Sequence, residues 1–539
     1  MTEVLLEISD LKVSFGSTPA VDGIDLVINR GETFVLLGES GCGKSISAMS
    51  IMRLLPNSAK IESGKVVLDG EDLLQLPESE MRQIRGGKVG MIFQEPQTSL
   101  NPVMTIGDQI AESLSWHKKI KGKTARGRVI ELLDSVGITE PDRRYDEYPH
   151  QFSGGMKQRV MIAMALAGEP ELLIADEPST ALDVTIQAQV LDLLLKLQKE
   201  RNMAILFITH DLGVAAKMAN HVGVMYAGKI VETAPRNQFF KKPKHPYSQK
   251  LFDALPSKIK REQEELNQKT DQDKSVLLEV KNLDVHFPIK TGFFKKVTGY
   301  VKAVNNISMT LERGQTIAMV GESGSGKTTF GKGVLQLIRP TNGSVLFEGT
   351  DLASLSPAEL RKRRTDIQII FQDPYSSMNP RMIVGDIIEE GMIAQKIGKT
   401  KKERLKRVEE LLEQVGLEKE HRLRYPHEFS GGQRQRICIA RALAVDPKLI
   451  ICDEPTSALD VSVQSQILTL LKDLQNRLGL TYLFITHNLG VVEYIAHKVA
   501  VMYQGEIVEY GDVEQVLYHP QHAYTQKLLA AIPVIETGT

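Results

Sequence analysis

Apolar positions along this chain come in short unbroken runs rather than in alternation. Residues 33–38 (TFVLLG), Leu172–Ala175 and Ala204–Ile208 are such runs. Four to six apolar residues with no polar face between them predict strands buried on both sides. The first run leads into a glycine-rich loop and then a helix-like pattern over Ser45–Leu55, and further strands are expected at 171–175 and 204–209. Strands alternating with helices build a mostly parallel sheet with helices on both faces, so the fold class is α/β. No run reaches eighteen apolar residues, so a membrane-spanning helix is not expected and any membrane connection passes through another subunit.

The pattern occurs twice. FSGGMKQR at 152–159 returns as FSGGQRQR at 429–436, and DEPSTALD at 176–183 returns as DEPTSALD at 453–460. The pairs Ser153 and Ser430, Asp176 and Asp453, His210 and His487, and His245 and His522 are each 277 residues apart. Upstream the spacing is 283 from Lys44 to Lys327 and 278 from Gln94 to Gln372, so the first half carries five extra residues between those points, a loop-sized difference. Each half closes on a related tail, HPYSQKLFDALP at 245–256 and HAYTQKLLAAIP at 522–533. The duplication predicts one domain over 1–256, a second over 277–539, and a charged linker over 257–276 whose core, KIKREQEELNQKTDQDK, reads as a solvated tether.

Composition narrows the class. At 539 residues the chain exceeds one ordinary core. A formal net charge of -1 gives no basic excess, so nucleic acid is not the expected partner. Glu3, Glu7 and Asp10 within the first eleven residues do not read as a secretory signal, which predicts a cytoplasmic protein. The three cysteines, Cys42, Cys438 and Cys452, are not spaced for zinc, an iron-sulfur cluster or a redox dithiol. Cys42 lies at a helix N-terminus, which acidifies thiols, yet it is read as an inert side chain.

The motif G-x-x-x-x-G-K-[ST] stands at Gly38–Ser45 (GESGCGKS) and at Gly321–Thr328 (GESGSGKT), each between a strand and a helix. Gly38, Ser40, Gly41 and Gly43, with Gly321, Ser323, Gly324 and Gly326, turn backbone N–H groups inward to hold phosphate oxygens where the helix dipole favours negative charge. Lys44 and Lys327 neutralise the β- and γ-phosphates, and Ser45 and Thr328, the latter followed by Thr329, offer hydroxyls to Mg²⁺. Apolar strands ending in paired acids follow. Asp176 and Asp453 are placed to hold the Mg²⁺ hydration shell, and Glu177 and Glu454 to take a proton from an attacking water.

Between the glycine loops and the paired acids, FSGGMKQR and FSGGQRQR resemble the signature sequence of ABC-type ATPases, and the resemblance covers essentially the whole chain. It implies two tandem P-loop NTPase domains, each a RecA-like, mostly parallel sheet with an antiparallel β subdomain and an α-helical signature subdomain. It also implies roles for Gln94 and Gln372 as glutamine switch loops touching nucleotide and Mg²⁺, for Ser179–Asp183 and Ser457–Asp460 as the loops after the acids, and for His210 and His487 as γ-phosphate switches. In such ATPases the open side of ATP is covered by the opposing cassette, so two composite sites are implied. One joins Lys44 to Ser430, Gly431, Gly432 and Gln433, and the other joins Lys327 to Ser153, Gly154, Gly155 and Met156. Met156 departs from the usual glutamine and is expected to tune its site rather than silence it. For adenine stacking, Phe15 fits the first half, whereas Phe287 and Tyr300 compete in the second, across the insertion KTGFFKKVTGY; packing within a hairpin is the alternative role for an aromatic there.

SLNP and SMNP after the glutamine loops, the HPYSQKL tail and the phrase RYPHEFSGGQRQR further resemble the ATPases of dipeptide, oligopeptide and nickel importers. The fused form is similar to those of glutathione and microcin-type peptide importers. That implies two membrane-spanning permease subunits, an indirect link to a periplasmic solute-binding protein, and a peripheral position on the inner face of the cell membrane. A soluble tandem cassette acting on ribosomes is the alternative; it would join its cassettes by a longer helical arm. A DNA-repair ATPase would need coiled-coil insertions or zinc cysteines between the motifs, and the tail region lacks the cysteines of an iron-sulfur cluster.

Overall fold

The computed structural model describes residues 3–179, 183–254, 275–291, 296–457 and 459–532. The expected linker core at 258–274 lies outside the described residues, as do Thr180–Leu182 and Ala458 of the loops after the acids. The chain divides into two compact units, the first taking in Met1–Phe252 and the second Asp253–Ala531.

Each unit is built on a six-stranded sheet. In the first unit the strand order is Lys229–Pro235, His221–Tyr226, Thr33–Leu37, Ala204–Thr209, Leu172–Asp176, Val89–Ile92. All neighbours pair in parallel except the edge strand Lys229–Pro235, which runs antiparallel to His221–Tyr226. The second unit repeats the order with Ile367–Ile370, Leu449–Asp453, Thr481–Ile485, Thr316–Val320, Lys498–Tyr503 and an antiparallel Glu506–Asp512. Every residue of Thr33–Leu37, Leu172–Asp176 and Ala204–Thr209 is buried, which is why these strands read as unbroken apolar runs.

A four-stranded antiparallel sheet stands beside each central sheet. In the first unit its order is Thr18–Asn29, Val4–Phe15, Ala59–Leu68, Glu71–Asp72. Leu6, Ile8, Ile28 and Val66 join Leu36, Ile51, Ile174 and Leu206 in one core that fuses the two sheets. In the second unit Ile388, Leu411, Ile437, Leu468 and Leu471 of the helices share one core with Ile450 and Phe484 of the sheet. Among the described residues no helix is long and apolar enough to cross a membrane.

Two boundaries differ from expectation. The helix after the first glycine loop is Lys44–Met52 rather than 45–55, because Arg53 turns into the left-handed region (φ 49) and closes the last carbonyls with its own N–H, shortly before Pro56. The acid-bearing strand runs to Asp176 because that residue still pairs with Ile208.

Register also bears on the two competing aromatics. In the first unit the hairpin passes Val13↔Val21, steps, and continues Ser14↔Pro19 and Phe15↔Thr18. In the second it passes Val285↔Val304, steps, and continues His286↔Lys302 and Phe287↔Val301 before running on to Thr291↔Lys296. Phe287 therefore holds the rung that Phe15 holds. Tyr300, paired with Pro288, lies one rung farther out on the opposite face of the ribbon.

Candidate functional site

Parallel pairing fixes where the motif residues emerge. Leu37 lies opposite Thr209, Asp176 opposite Ile208 and Ile92 opposite Ala175, so the loops leaving these strands share one edge of the sheet. That carboxyl edge, where connections diverge to either side, is where open α/β sheets place ligands. In sequence terms the edge carries Gly38–Lys44, Glu177, His210 and Gln94. The second unit gathers Gly321–Lys327, Glu454, His487 and Gln372 in the same way.

The glycine loops are bent by backbone geometry only glycine accepts. Gly43 (φ 110) caps the helix Lys44–Met52, and a side chain there would strike the Ala20 carbonyl 2.4 Å away. Gly41 (φ 79) differs, since a Cβ built on it meets nothing within 4 Å and would project into the open space of the loop. Gly324 repeats this at φ 79. A further tie runs from Gly228 N–H to the Cys42 carbonyl at 3.0 Å, matched by Gly505 N–H to the Ser325 carbonyl at 3.0 Å.

Both lysines are buried, and their ammonium groups lie on the loop backbone. Lys44 Nζ donates to the Gly38 and Glu39 carbonyls at 2.7 and 2.8 Å and lies 3.9 Å from Cys42 Sγ. Lys327 Nζ donates to the Gly321 and Glu322 carbonyls, both at 2.8 Å. The hydroxyls next in sequence reach the strand acids: Ser45 Oγ donates to Asp176 at 3.0 Å and Thr328 Oγ1 to Asp453 at 2.8 Å.

Burial pushes the Asp176 carboxyl above its usual range, helped by the negative charge of Glu177 and opposed by the Ser45 hydrogen bond and Lys44. Asp453 is raised for the same reason, with Glu454 adding to burial and Thr328, Lys332 and Lys327 opposing it. A buried hydroxyl–carboxylate pair with excess negative charge suits a small hard cation with oxygen ligands. Among the described residues no three His, Cys, Asp or Glu side chains converge as a metal cage, so a cation here would be completed by water and phosphate rather than by protein alone.

The adjacent acid forms the hub of a second cluster. Gln94 Nε2 donates to Glu177 Oε2 at 3.0 Å, and His210 Nδ1 lies 3.2 Å from Glu177 Oε1. In the second unit Gln372 Nε2 donates to Glu454 Oε2 at 3.1 Å and His487 Nδ1 lies 3.2 Å from the same oxygen. Both glutamates occupy the left-handed region, at φ 46 and φ 47, with their N–H groups bonded to Ile208 and Ile485 of the neighbouring strand. A non-glycine residue held there twice, at corresponding positions, marks a conformation the surroundings impose. Burial raises the Glu454 carboxyl, but the hydrogen bond and charge of His487, with Lys327, outweigh it and leave the group below its ordinary value.

The signature residues begin other helices. Ser153 caps Gly154–Leu166 by accepting from Met156 N–H at 3.3 Å, and Ser430 caps Gly431–Leu443 by accepting from Gln433 N–H at 3.4 Å. Only the second cap is reciprocal: Gln433 Oε1 accepts from Ser430 N–H at 3.0 Å, a bond that Met156 cannot make. Gly155 sits where a Cβ would meet Ile186 at 2.7 Å, while at Gly154 it would meet nothing within 4 Å. Phe15 is half-buried, and Phe287 is 41% exposed.

Sequence reading assigned no site role to Tyr247 and Tyr524. Their hydroxyls accept from the N–H groups of Glu39 and Glu322, inside the glycine loops, at 3.3 and 3.0 Å. The available signal was the tyrosine shared by the tails HPY and HAY at the 277-residue repeat.

The chain matches the ABC transporter family over residues 21–180 and 304–457, and the family described as oligopeptide/dipeptide transporter, C-terminal region, over 231–277 and 508–539. It is 47% identical to the glutathione import ATP-binding protein GsiA of Salmonella choleraesuis over 99% of this chain and 90% of that protein. The protein of the same name from Escherichia coli K12 is 47% identical over the same shares. Among solved structures, a dimeric bacterial ABC transporter cassette is 30% identical over 44% of this chain and 99% of that one, at a TM-score of 0.40.

Proposed function

The chain belongs to the ABC transporter family of ATP-binding proteins, with the oligopeptide/dipeptide C-terminal region in both halves, and on that premise we propose that it hydrolyses ATP to drive peptide import through separate permease subunits. The observation that carries this reading is the twofold cluster of Gln94, Glu177 and His210, and of Gln372, Glu454 and His487, beside a glycine loop and a hydroxyl–carboxylate pair.

The glycine loops hold the phosphates through backbone N–H groups, and Lys44 and Lys327 leave their carbonyls to neutralise the β- and γ-oxygens. Ser45 with Asp176 and Gln94, and Thr328 with Asp453 and Gln372, hold Mg²⁺, which supplies charge neutralisation of the phosphates. Glu177 and Glu454 orient the attacking water and accept its proton; His210 and His487 steady that carboxylate and read the γ-phosphate. Phe15 and Phe287 stack on adenine.

Each nucleotide is completed by the other half, Lys44 with Ser430, Gly431, Gly432 and Gln433, and Lys327 with Ser153, Gly154 and Gly155. One chain carrying both makes closure intramolecular, at an effective concentration on the order of millimolar. Closure and reopening reach two permease subunits through Gln94 and Gln372, placing the chain on the cytoplasmic face of the cell membrane and linking it indirectly to a periplasmic solute-binding protein. The cargo is a di- or oligopeptide or a glutathione-like peptide.

The test is co-purification with candidate permease subunits, followed by reconstitution in lipid vesicles and assay of ATP-dependent uptake of glutathione and short peptides. Retention of the permeases with uptake supports the reading. A chain that leaves the permeases behind and sediments with ribosomes overturns it.

A further inference from the structure

The tails do more than mark a branch of the family. Gly38 C=O and Glu39 N–H belong to one peptide group: its oxygen accepts from Lys44 Nζ at 2.7 Å and its N–H donates to Tyr247 Oη at 3.3 Å. The second unit repeats this at the peptide between Gly321 and Glu322, held by Lys327 Nζ at 2.8 Å and Tyr524 Oη at 3.0 Å. Each amide at the entrance of the loop is thus gripped at both ends.

The tyrosines are themselves fixed. Tyr247 lies on the helix Pro246–Asp253 and is 8% exposed, its ring centroid 4.3 Å from that of Tyr226. Tyr524, on Ala523–Ala530, is equally buried and lies 4.2 Å from Tyr503. The N–H groups of Tyr247 and Tyr524 donate to Nδ1 of His245 and His522, both at 3.2 Å. Glu232, on the edge strand, accepts from the N–H groups of Lys244 and His245 at 2.8 and 2.9 Å, and Glu509 accepts from those of Gln521 and His522 at 2.8 and 3.2 Å. A chain of contacts runs from sheet edge through carboxylate and histidine to the tyrosine hydroxyl and the loop.

We propose that Tyr247 and Tyr524 are positioning residues that hold the entrance peptide of each phosphate loop while its lysine is drawn onto the nucleotide. The proposal rests on the reading of these loops as ATP cradles. Once Lys44 exchanges the Gly38 carbonyl for phosphate, one of the two grips is gone. The tyrosine hydroxyl then fixes the plane of this amide, and with it the direction of the N–H groups that follow in the loop. The importer tail is in this way part of the nucleotide site.

The variants Tyr247→Phe and Tyr524→Phe, singly and together in the full chain, keep the tilted ring contacts and remove only the hydroxyls. Loss of one neutral hydrogen bond per site predicts a rise in KM for ATP of about 3- to 10-fold in the double variant, with kcat changed less than about twofold. Amide hydrogen exchange over residues 38–43 and 321–326 is expected to quicken in the ATP-loaded protein, with the thermal midpoint lowered by only about 2–4 °C. An unchanged KM and unchanged exchange, in a double variant whose parent hydrolyses ATP normally, overturns the positioning role. Absence of ATP binding by the parent would instead overturn the ATPase reading itself.

Discussion

Gln94 Nε2 donates to Glu177 Oε2 at 3.0 Å, so the glutamine loop and the acid that follows the strand Leu172–Asp176 are joined by one direct hydrogen bond. Gln372 and Glu454 keep the same bond at 3.1 Å. Replacing Glu177 and Glu454 by glutamine preserves size and burial but removes the proposed proton acceptor. Nucleotide binding is expected to survive, and phosphate release to fall by about 10²- to 10⁴-fold in the double variant. Turnover at the parent rate would reassign the base.

Ser45→Ala and Thr328→Ala each leave a buried aspartate without its hydroxyl donor. The expected result is a higher Mg²⁺ concentration for half-maximal hydrolysis and a loss of about 1–3 kcal/mol in stability of the affected unit. Titrating Mg²⁺ at saturating ATP checks the first outcome, and thermal unfolding the second.

The two signature helices start differently, because Gln433 closes a reciprocal cap that Met156 leaves open. Met156→Gln is expected to stabilise the first unit by about 0.5–1 kcal/mol, and Gln433→Met to destabilise the second by a similar amount. Denaturant unfolding of the full chain reads both. Sequence reading treated Met156 only as a lost amide facing nucleotide; the structure adds that the glutamine oxygen is engaged on its own backbone.

Glu348 in the second unit sits among Lys448 (2.9 Å), Arg313 and Arg363 (3.3 Å), which hold its carboxyl down at about 2, the Lys448 hydrogen bond contributing most. Its folded value lies below the unfolded one near 4.5, so its stabilisation is fully present above about pH 4.5 and is lost as pH falls toward about 2. Glu348→Gln should remove about 1 kcal/mol at neutral pH and flatten the acid limb of the second unit's stability curve. An acid titration followed by circular dichroism, parent against variant, would show no such flattening if the network carries no weight.

Much of this arrangement was legible because duplication doubles every signal. The paired acids and histidines announced themselves through a constant spacing of 277 residues, the glycine loops through a motif repeated at a slightly longer spacing, and the buried strands through unbroken apolar runs. What resisted reading were facts set by register and by long-range contact. Phe287 and Tyr300 look equivalent as letters, and only the rung shared with Phe15 separates them. Tyr247 meets Glu39 across 208 positions of chain, a distance over which local pattern carries no information. The helix end at Met52 turned on a left-handed Arg53, a conformation no propensity favours.

The tie from Gly228 to the Cys42 carbonyl, repeated between Gly505 and Ser325, means that each glycine loop is braced from the outer part of its sheet. The entropy of ordering that turn is therefore lost when the domain folds, not when nucleotide arrives, which favours tight capture. The same arrangement ties the loop to a remote place: a side chain at Gly228, held at φ 81, strains the bend from which the brace is donated.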